Sequence, residues 1–218
     1  MQSLAKRFLS EQDRKKIIQT VREVESRTAG EIVPMVVSSS YSYPMADVIG
    51  GMMAALPASL ILSHYIGGWL WVGDQNMWLF LGILIFSFFL FHQVCKRTPW
   101  LKRLFISPRE IQEEVEEAAT TRFFREGLHR TRHGTGILIF ISVFEQRVWV
   151  LGDKGINDKV SEEHWNKIIS IITDGIKQNN QAEAICLAVK EVGNLLEVHF
   201  PIEPDDQNEL KDLIVKDE

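Results

Sequence analysis

The sequence predicts an α/β domain whose chain is interrupted by a two-helix transmembrane hairpin. Charged residues are frequent in residues 1–47 and 96–218, whereas residues 48–95 carry one formally charged side chain, Asp74. β-branched runs in both polar segments predict strands, and apolar residues at helical spacing predict helices that cover them. Residues 1–45 offer only one helix and one strand, too little to bury a core. We therefore expect one domain that is assembled from both polar segments.

The composition argues against several functional classes. The formal net charge of −5 over 218 residues argues against bulk nucleic-acid binding. The two cysteines, Cys95 and Cys186, are far apart and form neither a disulfide framework nor a CxxC motif. The N-terminal segment lacks the continuous apolar stretch of a signal peptide. No GxGxxG, P-loop, HExxH or GxSxG motif occurs, so the familiar nucleotide and hydrolase signatures are missing.

The first polar segment predicts a helix followed by a strand. Ser10 and Asp13 have the spacing of a capping box, and apolar residues then recur at helical spacing to about residue 27. The β-branched run "EIVPMVVSS" predicts a strand. Because proline cannot donate to a ladder, Pro34 predicts a sheet edge, a bulge or a strand start at this point.

Two uncharged apolar runs follow, at about 48–72 and 77–95, separated by the polar residues "GDQN". About 20 apolar residues in a helix cross the hydrocarbon core of a bilayer. The runs therefore predict an antiparallel transmembrane hairpin, since a lipid-exposed segment must satisfy its own backbone. The expected division is 1–45 for the first part of the domain, 46–97 for the hairpin and 98–218 for the rest, which ends in a short acidic tail.

The flanks of the hairpin predict its orientation. Aromatic and basic side chains at the two membrane faces are expected to act as interface anchors: Trp69, Trp71, Trp78, Trp100, Lys96, Arg97, Lys102 and Arg103. Because the basic residues all follow the second run, the positive-inside tendency places the loop outside and both termini in the cytoplasm. We expect a two-pass protein of a cell inner membrane, with a cytoplasmic domain. The basic cluster could also hold anionic lipid headgroups.

Small residues recur along the first apolar run at Gly50, Ala54 and Ala58. Such a stripe lets another helix approach closely in a membrane. The approaching helix could belong to the second run, to a membrane protein partner or to another copy of the chain. The stripe is our candidate surface for helix packing.

The second polar segment predicts three helices around a β-hairpin. Ser107 is expected to cap the first helix, Ser161 the second and Asn180, with Glu183, the third. Residues 137–143 are apolar on both faces, which predicts a central strand covered by helices on both sides. A tight turn near Glu145 and Gln146 leads into the next strand.

Carboxylates near the end of that strand are the best candidates for chemistry. Asp153 follows the strand directly, and Asp158 is close behind it. With Glu31, these oxygens could hold Ca²⁺ or Mg²⁺. The alternative is that "GDKG" supplies ordinary turn geometry, and the sequence leaves both open. No catalytic residue can be named.

Several motifs together resemble the TPM domain family. These are "GEIV", "GTGILIF" and "LGDKGI" in this order, with the apolar hairpin between the first two. The chain resembles the membrane-anchored bacterial branch of that family over nearly all residues outside 46–106. The resemblance implies a three-layer α/β/α sandwich around a small mixed sheet. Many relatives carry an Asp just before the glycine that this chain has as Gly134, whereas here Arg132 and His133 precede it.

Some family members bind divalent metal, some have a proposed phosphatase activity and others are auxiliary subunits of receptors. Two functions are therefore expected from the sequence. One is an interaction or accessory module that docks on a membrane protein, or helps assemble or stabilise it. The alternative is a divalent-metal-dependent phosphatase at the cytoplasmic membrane surface, with Asp153 and Asp158 as ligands.

Overall fold

The structure is a computed structural model that describes residues 4–71, 73, 76–202 and 209–217. The chain forms two compact units. The α/β unit comprises residues 1–41 and 112–218, and the helical unit comprises Ser42–Ile111. The predicted mixed α/β fold is confirmed, and the predicted hairpin lies within the helical unit, which also takes in residues 98–111.

The described residues form helices and strands in the order given next, and a short 3₁₀ turn lies at Leu128–Arg130. They are α1 (Leu4–Phe8), α2 (Glu11–Glu25), β1 (Glu31–Val37), α3 (Pro44–Trp69), α4 (Met77–Arg97), α5 (Pro99–Arg103), α6 (Pro108–Arg125), β2 (Gly136–Ser142), β3 (Arg147–Gly152), α7 (Lys154–Asn157), α8 (Glu162–Lys177), α9 (Gln181–His199) and β4 (Ile214–Lys216).

The strands form one mixed sheet in the order β3-β2-β1-β4. β1 pairs in parallel with β2, placing Glu31 opposite Gly136, and also pairs in parallel with β4. β2 and β3 form the predicted antiparallel hairpin, whose turn includes Gln146 at a φ of 52°. β4 lies in the segment predicted only as an acidic tail.

One face of the sheet carries the main hydrophobic core. Helices α2, α8 and α9 pack there because each presents an apolar stripe at helical spacing. The largest contributions come from fully or almost fully buried side chains: Ile17, Val21 and Val24 of α2; Ile168 and Ile172 of α8; Ile185, Val189, Val192 and Leu196 of α9; and Ile32, Val36, Ile137, Ile139 and Ile141 of the strands.

The second face of the sheet is buried as well. Alternate residues of the central strands point to it, and Val33, Met35, Leu138 and Phe140 are each at most 1% exposed. The part of α6 that belongs to this unit buries its own apolar stripe, which includes Val115, Ala119 and Phe123. A central sheet buried on both faces is the arrangement that the α/β/α sandwich requires.

Pro34 lies in β1, which pairs with β2 on one side throughout and with β4 on the other side only from Met35 onward, so the expected sheet edge is present locally at Pro34. The hydrogen bonds of β1 explain why it is tolerated. The Ile32 N–H donates to the Glu25 side chain and the Ser38 N–H donates to the Lys216 carbonyl. The backbone N–H groups of the even-numbered residues of β1 therefore point away from β2. On that side, pairing with β4 begins only at Met35. The missing N–H of Pro34 therefore removes no ladder bond.

The helix caps are partly as predicted. Ser10 and Asp13 form the complete capping box of α2, and the Ser107 hydroxyl accepts from the Glu110 N–H at 3.1 Å. The capping box predicted at Asn180 is wrong, because its side chain makes no cap hydrogen bond. Ser161 precedes α8, but its hydroxyl contacts the ring of His164 at 2.9 Å instead of capping the helix.

In the helical unit, α3 and α4 pack against each other and both are long and apolar enough to cross a membrane. Six of the eight buried residues of α3 recur at every fourth position: Asp47, Gly51, Ala55, Ser59, Ser63 and Gly67. Small side chains let two helix backbones approach closely. The serine hydroxyls on this line donate to carbonyls of their own helix, so their burial leaves no hydroxyl without an acceptor.

Gly51 is at the closest approach of the two helices. A Cβ atom added to Gly51 would lie 3.1 Å from the Cα atom of His92. On the neighbouring position, a Cβ atom at Gly50 would lie 2.7 Å from the Cys95 sulfur and 2.8 Å from the Phe105 ring. Gly82 of α4, by contrast, has nothing within 4 Å of such an atom.

We predict that Gly51→Val separates α3 from α4, whereas Gly82→Val leaves the pair intact. The backbone of His92 cannot move aside as a side chain could, and overpacking costs about 1–3 kcal/mol. Thermal unfolding of the full-length protein in mild detergent measures the difference. Equal loss of stability in the two variants would contradict the close approach at Gly51.

Candidate functional site

One end of the sheet brings together two of the three predicted metal ligands. β1 begins at Glu31, β2 begins at Gly136 and β3 ends at Gly152. Glu31 lies opposite Gly136 in the parallel pair, and the Asp153 N–H donates to the Gly136 carbonyl at 2.9 Å. Glu31 and Asp153 therefore flank the first residue of β2 from its two sides.

Asp153 serves as the N-cap of the one-turn helix α7. One of its carboxylate oxygens accepts from the Lys154 N–H at 2.7 Å. Gly155 is required beside it, because an added Cβ atom would lie 2.9 Å from the Gly134 carbonyl oxygen. Asp158 is exposed at the other end of α7. The turn role foreseen for "GDKG" is therefore present, and one Asp153 oxygen is committed to it.

Glu31 is buried at the start of β1, where its Oε1 atom accepts from the Glu209 N–H at 3.1 Å. Glu25 lies nearby on α2, and its Oε1 atom accepts from the Ile32 N–H at 2.9 Å. Asp212 accepts from Arg22 at 2.9 Å. Sequence reasoning missed Glu25 and Asp212, because only the fold brings the end of α2 next to the segment after α9.

The pKa of Glu25 is raised to about 8 from an ordinary value of 4.5. Burial is the largest cause, because it removes water from the charged form. The Ile32 N–H and Arg22 oppose the rise, while the charges of Glu31 and Asp212 add to it. Glu25 is therefore protonated at neutral pH in the folded protein, whereas it is ionised in the unfolded chain.

The fit of a divalent cation can be judged from the donors present. Within residues 4–71, 73, 76–202 and 209–217, no three His, Cys, Asp or Glu side chains are grouped so that they could hold a metal ion. Ca²⁺ takes six to eight oxygen ligands. The described residues thus do not by themselves form such a site, and no chemical step is assigned to a metal here. Asp205 and Asp206, in the acidic segment, lie outside the described residues.

The predicted packing stripe of α3 lies beside the observed one. Gly50 is buried, whereas Ala54 and Ala58 are only half-buried. Gly50 and Gly51 both approach α4, whereas further along α3 the buried position is Ala55 and not Ala54. Ala54 and Ala58 therefore form a border of small side chains at the edge of the helix pair.

Lys102 forms a buried ion pair, so unlike Lys96 and Arg97 it does not expose its charge as an interface anchor would. Its ammonium lies 2.9 Å from the Asp47 carboxylate and also donates to the Ser42 carbonyl, and the two side chains are 12% and 7% exposed. Asp47 is the last charged residue before the apolar run, and its position at the start of that run could have indicated that it needs a basic partner such as Lys102. Lys96 and Arg97 are exposed, and Arg103 is half-buried.

The predicted aromatic anchors have the exposure that membrane-interface residues need. Trp69, Trp71, Trp78 and Trp100 are all exposed, Trp71 to 95%. Their positions in the chain place three near the connection between α3 and α4, and one in α5. Exposed tryptophans are costly in water, so their grouping is typical of a membrane interface.

Comparison with known proteins supports the TPM resemblance in part. The TPM domain family matches residues 102–195, which include α6, the β2–β3 hairpin and most of α9. The solved structure of the BA42 protein from the psychrophilic bacterium Bizionia argentinensis is similar, with 21% identity, a TM-score of 0.59 and coverage of 96% of this chain and 95% of that one. This likeness shows a shared fold. No curated protein matches the chain.

We predict that Glu25→Gln changes the pH dependence of stability. A carboxyl whose folded pKa is raised makes the free energy of unfolding fall as pH rises from about 4.5 to about 8, by at most about 1.4 kcal/mol per pH unit. Glutamine stays neutral and keeps an acceptor for the Ile32 N–H. The free energy of unfolding of the variant should match that of the parent near pH 5 and exceed it near pH 8, as measured by urea unfolding followed by circular dichroism.

Glu23→Gln is the matched control, since Glu23 is exposed two residues earlier on the same helix. It should leave the pH profile of the parent unchanged. If Glu25→Gln and the parent lose stability equally between pH 5 and pH 8, the protonated state of Glu25 is refuted.

Proposed function

We propose that this protein is a membrane-anchored accessory module. Its TPM-like α/β unit is held at the cytoplasmic side of an inner membrane by the α3–α4 hairpin. The hairpin docks on a membrane protein, or on a second copy of the chain, and helps to assemble or stabilise it. The α/β unit then works as a rigid body beside that partner.

The observation that carries this proposal is the unsatisfied apolar surface of the helical unit. Only 33% of the most apolar stretch of α3, and 11% of that of α4, is buried in the structure. The outward side chains include large exposed residues such as Met53, Leu60 and Phe86. Apolar surface on this scale needs lipid or protein around it. The long helices and exposed tryptophans favour lipid for most of it.

A protein partner is favoured at the border formed by Ala54 and Ala58. These side chains are small and only partly covered by α4. In a membrane there is little hydrophobic drive between helices, so close approach over small residues is what brings a third helix in. Methionines such as Met53 lie nearby in sequence and adapt readily to an irregular partner surface.

The orientation follows from the flanks. Lys96 and Arg97 are exposed at the end of α4, whereas the connection between α3 and α4 contains no Lys or Arg. Exposed positive charge is retained on the cytoplasmic side during insertion. Both termini are then cytoplasmic, and the polar α/β unit stays in the compartment where it is made.

We expect Ala54→Leu combined with Ala58→Leu to abolish co-purification of the partner, while the hairpin itself stays folded. Added bulk on the border blocks the close approach of a third helix. The measurement is the native mass of the complex after gentle detergent extraction from the source membrane.

Leu60→Phe is the control, since it adds similar bulk about 200° around the helix from Ala58. It should leave the native mass of the complex unchanged. A complex of unchanged mass with both alanines replaced contradicts docking at this border.

The second candidate is a metal-dependent phosphatase at the same membrane surface. The observation that favours it is the placement of Glu31 and Asp153 on the two sides of Gly136. In this case Glu31 and Asp153 would contribute carboxylate oxygens to a divalent ion, and such an ion would supply Lewis-acid chemistry for the hydrolysis of a phosphate ester.

This alternative predicts metal-stimulated release of phosphate by the full-length protein, lost in Asp153→Asn and in Asp158→Asn. Asparagine retains the N-cap of α7, so loss of activity reports loss of the charge and not of the fold. Glu163→Gln, at an exposed position on α8, should be fully active. Absence of phosphate release with Ca²⁺, Mg²⁺ and other divalent ions, or activity indifferent to Asp153→Asn, eliminates it.

A further inference from the structure

A cavity of about 410 Å³ opens in the α/β unit between α1, the β2–β3 turn and the last turns of α8. Its apolar walls are formed by Phe8, Ile141, Val148 and Ile176. Ile141 and Val148 are opposite each other in the β2–β3 ladder, and Phe8 and Ile176 pack against the same core. The volume falls in the range of small-molecule sites.

The cavity lies where α/β sheets usually take ligands. It begins at the carboxyl end of β2, which runs parallel to β1. Ligands of such sheets bind beyond the carboxyl ends of the strands. The candidate carboxylates Glu31 and Asp153 belong to the opposite end of the same strands. The cavity is therefore separate from the candidate metal residues.

The turn beside the cavity is held rigid by the Glu145 carboxylate. Glu145 is fully buried and accepts from the Ser40 N–H at 2.9 Å, from the Ser39 hydroxyl at 3.1 Å and from the Ser142 hydroxyl. A buried carboxylate with several donors fixes the backbone around it. One wall of the cavity is thus preformed before any ligand arrives.

The charges of the lining residues favour an anion. Arg147 and Lys177 are the two charged lining residues, and both are exposed. Lys177 also contacts Asp174 at 3.1 Å, whereas no ion pair of Arg147 is present among the described residues. The lining carries no carboxylate. Guanidinium groups match carboxylates through paired hydrogen bonds.

We propose that this cavity binds a monocarboxylate with a flexible apolar chain, the chemistry of a medium-chain fatty acid. The chain lies against the apolar walls, and the carboxylate meets Arg147 and Lys177 at the rim. This site is independent of the proposed docking role, since none of its residues belongs to the helical unit.

The test uses the full-length protein in nanodiscs of deuterated zwitterionic lipid, with the isoleucine methyl groups labelled for NMR. Sodium octanoate is titrated, and 1-octanol provides the same apolar chain without the charge. We expect saturable shifts of the Ile141 and Ile176 methyl signals with octanoate, and roughly tenfold weaker binding of octanol. The methyl group of Ile17, which is not part of the lining, reports any general effect of lipid partitioning.

Arg147→Gln combined with Lys177→Gln should weaken octanoate binding roughly tenfold or more. Lys190→Gln, an exposed position on α9 outside the lining, should leave it unchanged. If the double variant fails to fold, Ile176→Phe fills the cavity instead and should remove the Ile141 shift.

Three results overturn the proposal. The first is the absence of saturable shifts with octanoate. The second is equal binding of octanoate and octanol, or of octanoate by the parent and the double variant. The third is a response to an apolar tripeptide with a free C-terminal carboxylate but none to octanoate, which assigns the cavity to a peptide tail.

Discussion

The parallel pairing of β1 with β2 is the constraint on which the rest of the structure depends. These strands are neighbours in the centre of the sheet, yet residues 38–135 separate them in the chain, and the whole helical unit lies in that connection. Parallel strands always need a crossover connection. The length and structure of that connection can vary as long as its two ends return to the sheet. An apolar helical pair can therefore be inserted without altering the register of Glu31 with Gly136. We therefore expect that neither polar segment folds alone, because each supplies only one of the two central strands.

Two buried carboxylates secure the chain around this insertion. Glu145 accepts from Ser39 and Ser40 directly after β1, within the α/β unit. Asp47 pairs with Lys102 within the helical unit. Removing one partner of a buried ion pair such as Asp47–Lys102 typically costs about 3–5 kcal/mol. Removing the Glu145 carboxylate would leave buried donors without their acceptor, at a cost of about 1–3 kcal/mol for each donor.

Local sequence patterns predicted much of this fold, whereas the candidate site depends on contacts between residues that are distant in the sequence. The capping box at Ser10 and the turn at Gln146 are encoded by neighbouring residues, so the sequence sufficed. The sequence could not show that Ala55 would be buried instead of Ala54, because which small residues face α4 depends on the rotation of the helix. Pro34 correctly indicated a local edge, but the sequence could not show that β4 pairs with the second half of the same strand. Glu25 could not be recognised as a perturbed acid, because one of the charges that raise its pKa, Asp212, lies nearly 190 residues later in the chain.

The central claim is that the insertion between β1 and β2 crosses the membrane twice and leaves the α/β unit in the cytoplasm. Single cysteines test it, since Cys95 and Cys186 are both buried and give little background. Trp71→Cys, at a position that is 95% exposed, and Lys190→Cys are each treated with a membrane-impermeant maleimide in intact spheroplasts. We expect labelling of position 71 at once and of position 190 only after lysis. Labelling of position 190 in intact spheroplasts, or of neither position before lysis, would contradict the account.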